Sequence, residues 1–206
     1  MDKFWLLIPL AAIAGFIARG FCVYRFQNRG EVTLRAVAMR GLPPDSWHLM
    51  NHITLKTDTG TTQIDHILIS DYGVFVVETK HYKGWIFGDK NSKYWTQVIF
   101  NRKFRFQNPL HQNNLHLRVV REYLDFLPQE HIQGIVVFTS TALFKSTMPE
   151  NVLQIKDLLS FLEGSKKVLL SNNKRQFCIG RLESARLSLT RATDVQHRVN
   201  LNRRYR

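Results

Sequence analysis

Apolar residues along the chain recur with the periods of alternating helices and strands. A helix of modest amphipathicity is predicted from Gly30 to Gly41, where Leu42-Pro43-Pro44 ends it. Three apolar runs separated by turn residues follow this helix. They predict strands over Trp47–Leu55, Ile64–Ile69 and Val74–Val77.

The second half of the chain repeats the alternation. Residues 84–106 carry scattered aromatic residues and glycines, which predict short strands and loops. Asn108-Pro109 has the composition of a helix start, and apolar residues at helical spacing continue to about Leu127. Further elements are predicted as strands over Gly134–Ser140 and Val152–Ile155 and a short helix from Asp157. The order helix, three strands, helix, strand predicts an α/β fold with a mixed sheet flanked by helices.

An apolar segment from Phe4 to Tyr24 precedes these elements and contains one charged residue, Arg19. As a helix it would be about 31 Å long, which is enough to cross a bilayer. Because Arg19, Arg25 and Arg29 lie at or behind its end, the positive-inside rule predicts a single-pass protein of a bacterial-type inner membrane, with the following domain in the cytoplasm. A cleaved signal peptide with Ala12-Ile13-Ala14 as its site is the competing interpretation.

The composition adds a strong positive charge to this picture. The net charge is +13 and the pI is about 10.1, which favours nucleic acid or an anionic membrane surface as a partner. Two distant cysteines give neither a disulfide framework nor a zinc motif. We therefore predict a membrane anchor over residues 1–28, a folded domain over 29–170 and a basic extension over 171–206.

Three charged residues interrupt the two most apolar strands. A hairpin that turns at Asp71-Tyr72 places Asp65 opposite Glu78, and the two-residue period of a strand puts Lys80 on the same side as Glu78. Facing carboxylates repel one another, so a divalent cation such as Mg²⁺ or Mn²⁺ is the expected compensation. The lysine can orient water or stabilise charge on a phosphate. A solvated ladder of salt bridges is the alternative.

These residues resemble a known signature. An acid on one strand followed by Glu-x-Lys at the end of the next is similar to the PD-(D/E)xK nuclease superfamily, and the element order resembles its αβββαβ restriction-endonuclease-like core. The nuclease-related domain (NERD) family is a closer resemblance. Its motifs are Gly30-Glu31, Gln63-Ile64-Asp65-His66, Gly73-Val74-Phe75, Glu78-Thr79-Lys80, Gly84-Trp85, Gly88, Trp95, Asn108-Pro109 and Gln112.

The resemblance implies roles for individual residues. It implies that Asp65 and Glu78 are metal ligands, with the carbonyl of Thr79 as a third, and that Lys80 is the catalytic lysine. It also implies that Glu31 is the acid of the first helix.

The proline of the superfamily signature is replaced by Ile64. Gln112 would lie beside the site and contact nucleic acid, although an ordinary role on a helix surface is equally consistent with its position. His66 is expected to point away from Asp65 and to be structural or to support the ligands.

A basic and aromatic segment, Phe100 to Pro109, alternates Lys103 and Arg105 with Phe104 and Phe106. As a strand it would present a basic face suited to phosphates, although an amphipathic edge strand has the same pattern. The expected function is a membrane-anchored, metal-dependent nuclease that hydrolyses DNA, with DNA preferred to RNA. The alternative is a non-catalytic, membrane-tethered module that binds nucleic acid or protein.

Overall fold

The computed structural model describes residues 29–164 and 167–188, which form a mixed α/β fold with two sheets flanked by helices. Helix α1 covers residues 29–41. The other elements are β1 (Trp47–Thr57), β2 (Gly60–Ser70), β3 (Gly73–Lys80), β4 (Gly84–Phe87), β5 (Tyr94–Ile99), β6 (Arg102–Gln107), α2 (Pro109–Tyr123), β7 (Ile132–Phe138), β8 (Ala142–Phe144), β9 (Val152–Gln154), α3 (Leu158–Gly164) and α4 (Asn172–Ala185).

The larger sheet has the strand order β1-β2-β3-β7-β9. Strands β1, β2 and β3 are antiparallel neighbours, whereas β7 is parallel to β3 and follows the crossover helix α2. The β2–β3 turn contains Gly73 at φ 131°, a conformation that glycine adopts readily. The pairing of Ser70 with Gly73 and of His66 with Val77 confirms the predicted register of this hairpin.

Helices cover both faces of the larger sheet. One apolar cluster joins β1–β3 to α2 and α4, and a second cluster joins the opposite face to α1 and α3. Cys178 and Leu182 of α4 are fully buried in the first cluster, so the beginning of the predicted basic extension packs on the core. The domain boundaries themselves stay predictions.

The second sheet has the order β6-β5-β4-β8 and contains the short strands predicted between residues 84 and 106. Its inner side packs on the end of β7 through aromatic rings. Trp95 lies nearly parallel to Phe138, with the ring centroids 6.3 Å apart, and Phe106 meets Tyr82 edge to face at 4.5 Å. These contacts hold the second sheet beside the end of β3.

Helix α2 begins where Asn108-Pro109 predicted it but ends at Tyr123 rather than near Leu127. Leu124 leaves the helical conformation with φ −111° and ψ 42°, and Leu127 is followed by Pro128, a residue that disfavours helix before it. Among the residues that the structure describes, no helix is long and apolar enough to cross a membrane. The predicted transmembrane segment, residues 4–24, lies outside the described residues.

Candidate active site

The charged end of β3 is enclosed rather than solvated. Strand β3 is flanked by β2 and β7 and is buried along its whole length, including Glu78, Thr79 and Lys80. A charged residue in such a position needs a partner, because an unpaired buried charge costs several kcal/mol. The surface salt-bridge ladder considered from the sequence is therefore inconsistent with the burial of Glu78 and Lys80.

Glu78 and Lys80 compensate one another. Nζ of Lys80 donates to Oε1 of Glu78 at 2.5 Å and to Oε1 of Gln112 at 3.0 Å. Burial alone would raise the pKa of Glu78, but Lys80 and His116 outweigh it and hold the pKa below its ordinary value. Burial alone would lower the pKa of Lys80, yet the charge and hydrogen bond of Glu78 raise it. Both groups are therefore charged at neutral pH.

Asp65 lies where the regular pairing of β2 with β3 ends, one residue beyond the His66–Val77 pair. Its Oδ2 accepts hydrogen bonds from the backbone N–H of Thr79 at 2.8 Å and from the Thr79 hydroxyl at 2.7 Å. Burial, followed by the negative charges of Glu78 and Glu31, raises the pKa of Asp65 to about 7. The structure thus brings the two predicted carboxylates close enough for the charge of Glu78 to raise the pKa of Asp65.

Glu31 reaches the same region from α1. Oε2 of Glu31 lies 2.9 Å from Nδ1 of His52, and this contact is the largest cause of the raised pKa of His52. The helix can approach closely because a Cβ at position 30 would lie 2.9 Å from Oγ1 of Thr139 and 3.1 Å from Cβ of His81. Gly30 therefore serves a packing need in the Gly30-Glu31 motif.

Strand β1 is irregular at the same level. The regular pairing with β2 passes from Asn51–His66 to Ile53–Ile64, and His52 between them has φ 51°, in the left-handed region. Non-glycine residues held in this region cost about 1–3 kcal/mol and cluster at functional sites. The distortion places His52 next to Glu31.

Helix α2 supplies two side chains to the site. Asn108 caps the helix by accepting from the N–H of Leu110, and its side-chain amide donates to the Ser92 carbonyl at 2.7 Å. This cap sets the start of α2, so that Gln112 and His116, four residues apart, lie on one face of the helix.

Sequence reasoning did not assign His116 to the site. Its Nε2 lies 3.3 Å from Oε2 of Glu78, a contact longer than a good charge-assisted hydrogen bond. Its Nδ1 lies 2.9 Å from the hydroxyl of Thr62 on β2. When that hydroxyl donates, the ring proton is on Nε2 and faces Glu78. The four-residue spacing from Gln112 is the signal that could have identified His116.

His66 is a buried neighbour rather than a member of this group. Its Nδ1 lies 2.7 Å from Oδ1 of Asn51, and burial is the main cause that lowers its pKa to about 3. The imidazole is therefore neutral at physiological pH, and its role, structural or supporting the ligands, stays a prediction.

Lys103 and Arg105 lie elsewhere. Both are exposed on β6, an edge strand of the second sheet, and no contact joins them to Asp65, Glu78 or Lys80 in the described residues. The guanidinium of Arg105 lies 4.8 Å from the ring centroid of Tyr94. Of the three predicted nucleic-acid-binding residues, Lys103 and Arg105 therefore belong to a different surface, whereas Gln112 contacts Lys80.

The donor atoms available for a metal are oxygens of Asp65 and Glu78 and the backbone of Thr79. Within residues 29–164 and 167–188, no group of three or more His, Cys, Asp or Glu side chains is placed to hold a metal ion. Oε2 of Glu78 is buried without a hydrogen bond of good geometry, and Asp65 carries a raised pKa. A cation would give Oε2 of Glu78 a partner and stabilise the ionised form of Asp65. Mg²⁺ and Mn²⁺ fit such a pair of carboxylates, because they keep several water ligands.

A central strand that ends in buried Glu-x-Lys, beside an aspartate from the neighbouring strand, defines a nuclease-like class of α/β protein. The family model of the nuclease-related domain, NERD, matches residues 27–139, and the chain belongs to this family. The chain is also 38% identical over 140 residues to an uncharacterized protein of Bacillus anthracis. That match covers 66% of this chain and 65% of the relative.

Proposed function

We propose that this protein is a membrane-anchored, metal-dependent nuclease that hydrolyses phosphodiester bonds of DNA. The observation that carries the proposal is the group formed by half-buried Asp65 with buried Glu78 and Lys80 at the end of β3. Burying like charges so close together lowers stability and is hard to explain by packing alone. Membership of the nuclease-related family supports the same reaction class.

The carboxylates of Asp65 and Glu78, with the carbonyl of Thr79, would hold Mg²⁺ or Mn²⁺. The bound cation would polarise the phosphate and lower the pKa of a bound water. Lys80, held by Glu78 and Gln112, would orient the attacking water or stabilise negative charge on the phosphate oxygens. Gln112, whose Oε1 accepts from Nζ of Lys80, would position Lys80 and contact the nucleic acid. Glu31 would act through its charge on Asp65 and its contact with His52.

The reaction can be tested with the full chain purified in detergent. Supercoiled, linear and single-stranded DNA and an RNA of the same sequence are incubated with Mg²⁺, with Mn²⁺ or with chelator. We expect DNA to be cut only when a metal is present. Salt-sensitive binding to DNA without cleavage in either metal would instead identify a non-catalytic nucleic-acid-binding module.

We further propose that residues 4–24 anchor the protein in a bacterial-type inner membrane with the domain in the cytoplasm. The support is the length and apolar character of the segment and the arginines that follow it. Alkaline extraction of membranes from cells that express the full chain tests the anchor. Retention in the membrane pellet is expected, and release into the supernatant would contradict it.

A further inference from the structure

The second sheet has one buried and one exposed side. Strand pairing aligns Trp85 of β4 with Val98 of β5, and Val98 with Lys103 of β6. The next row aligns Phe87 with Thr96 and Arg105. Facing residues of paired strands point to the same side of a sheet. We call this side the outer face, defined by Trp85, Phe87, Tyr94, Lys103, Arg105 and Lys145.

The outer face exposes large aromatic rings. Trp85, Phe87 and Tyr94 are 49%, 38% and 43% exposed, whereas Ile86 and Trp95 on the opposite side are fully buried. Ile86 and Trp95 therefore pack the centre of the inner side, whereas Phe104 at its edge on β6 is 45% exposed. Contiguous aromatic exposure on a folded domain is typical of a binding surface.

Basic side chains lie above two of these rings. Nζ of Lys145 is 5.0 Å from the ring centroid of Trp85, and the Arg105 guanidinium is 4.8 Å from that of Tyr94. Lys103 is exposed beside them. The four strands of the sheet contain no aspartate or glutamate. The outer face is therefore positively charged and aromatic, which is complementary to a polyanion that carries flat bases.

The outer face is close to the candidate active site. Lys80 ends β3, and β4 begins at Gly84 after three residues. A chain of five residues spans at most about 18 Å, so Trp85 lies within that distance of Lys80. A few nucleotides of an extended strand could therefore contact both places.

We propose that the outer face binds single-stranded nucleic acid, with bases stacked on Trp85 and Tyr94 and phosphates bound by Lys103, Arg105 and Lys145. The inference deepens the proposed function, on which it rests, by naming the substrate form. Single strands present free base faces for stacking, whereas a duplex hides them. The surface therefore selects single-stranded segments next to the catalytic group.

The test measures binding of the full chain in detergent to a fluorescein-labelled oligothymidine of about 20 nucleotides, in chelator so that nothing is cut. Wild type should bind this strand more tightly than a blunt duplex of equal length. Trp85→Ala and Tyr94→Ala should each weaken binding by about 5- to 150-fold, which is the effect of losing one stacked base. Trp85→Phe keeps a ring and should retain most of the affinity.

The matched control is Phe177→Ala, which removes an exposed aromatic ring from α4 and should leave the affinity unchanged. Affinities of Trp85→Ala and Tyr94→Ala within twofold of wild type would overturn the proposal. So would reconstitution in vesicles with brominated phosphatidylglycerol, if the lipid quenches wild type more than Trp85→Phe and excludes the oligonucleotide. The outer face would then be a membrane surface, and the comparison subtracts the quenching of Trp5 in the proposed anchor. Cleavage plays no part in these measurements, so their failure is distinguishable from failure of the proposed nuclease activity.

Discussion

Replacing Asp65 with asparagine should stabilise the protein above neutral pH. The pKa of Asp65 is raised from 3.8 to about 7, because the folded protein buries its carboxyl near Glu78 and Glu31. Between these two values the folded state holds a proton that the unfolded state releases, so the free energy of unfolding falls as pH rises. The amide that Asp65→Asn introduces carries no charge, and its oxygen can still accept from Thr79.

The size of the effect follows from the shift. The rise of the Asp65 pKa from 3.8 to about 7 corresponds to a loss of about 4 kcal/mol in the free energy of unfolding when Asp65 is ionised. This loss is complete near pH 8 and absent near pH 4. Urea unfolding of the full chain in chelator, followed by tryptophan fluorescence, measures it. We expect the free energy of unfolding of Asp65→Asn to exceed that of wild type by up to about 4 kcal/mol at pH 8 and to approach the wild-type value at pH 4. Asp58→Asn, in the exposed β1–β2 turn, is the matched control.

A second arm adds Mg²⁺ at pH 8. A cation that binds only the folded state raises the free energy of unfolding by mass action, so wild type should gain stability and Asp65→Asn should gain less. A free energy of unfolding lower for Asp65→Asn than for wild type at pH 8, or a difference that is the same at both pH values, would contradict the destabilising charge assigned to Asp65.

Three further substitutions test individual contacts. Lys80→Met should lower the free energy of unfolding by about 3–5 kcal/mol, because it leaves Glu78 buried without its cation. The double variant Glu78→Gln/Lys80→Met should recover most of this stability without recovering cleavage. His116→Ala should reduce metal affinity or cleavage by about 10- to 100-fold, because His116 contacts Glu78 and is fixed by Thr62; an unchanged Mg²⁺ dependence would contradict this role. Asn108→Ala should cost about 1–2 kcal/mol by removing the cap of α2, and unaltered urea unfolding would contradict it.

The hairpin was predictable because its pairing is determined by residues that are close together in the sequence. The turn at Asp71-Tyr72 and the apolar period determine which residues of β2 and β3 pair, and the observed register agrees. The start of α2 was predictable for the same reason, since Asn108 and Pro109 act on the adjacent turn.

The remaining features depend on contacts between distant parts of the chain. β8 joins the second sheet by parallel pairing of Ala142 with Gly84, and no local sequence pattern predicts this pairing. The two-residue period predicted that Lys80 lies on the same side of the strand as Glu78. It did not predict that both residues are buried and therefore form an ion pair. His116 became part of the site only when α2 packed across β3.

The central claim is that Asp65, Glu78 and Lys80 form a metal-dependent nuclease centre. The most direct measurement is the rate at which the full chain cuts supercoiled plasmid and circular single-stranded DNA as Mg²⁺ is raised, for wild type, Asp65→Asn and Asp58→Asn. We expect cleavage to rise with Mg²⁺ in wild type and Asp58→Asn and to stay at background in Asp65→Asn, whose folded state the unfolding experiment verifies. Equal cleavage by all three proteins, or cleavage that persists in chelator, would contradict it.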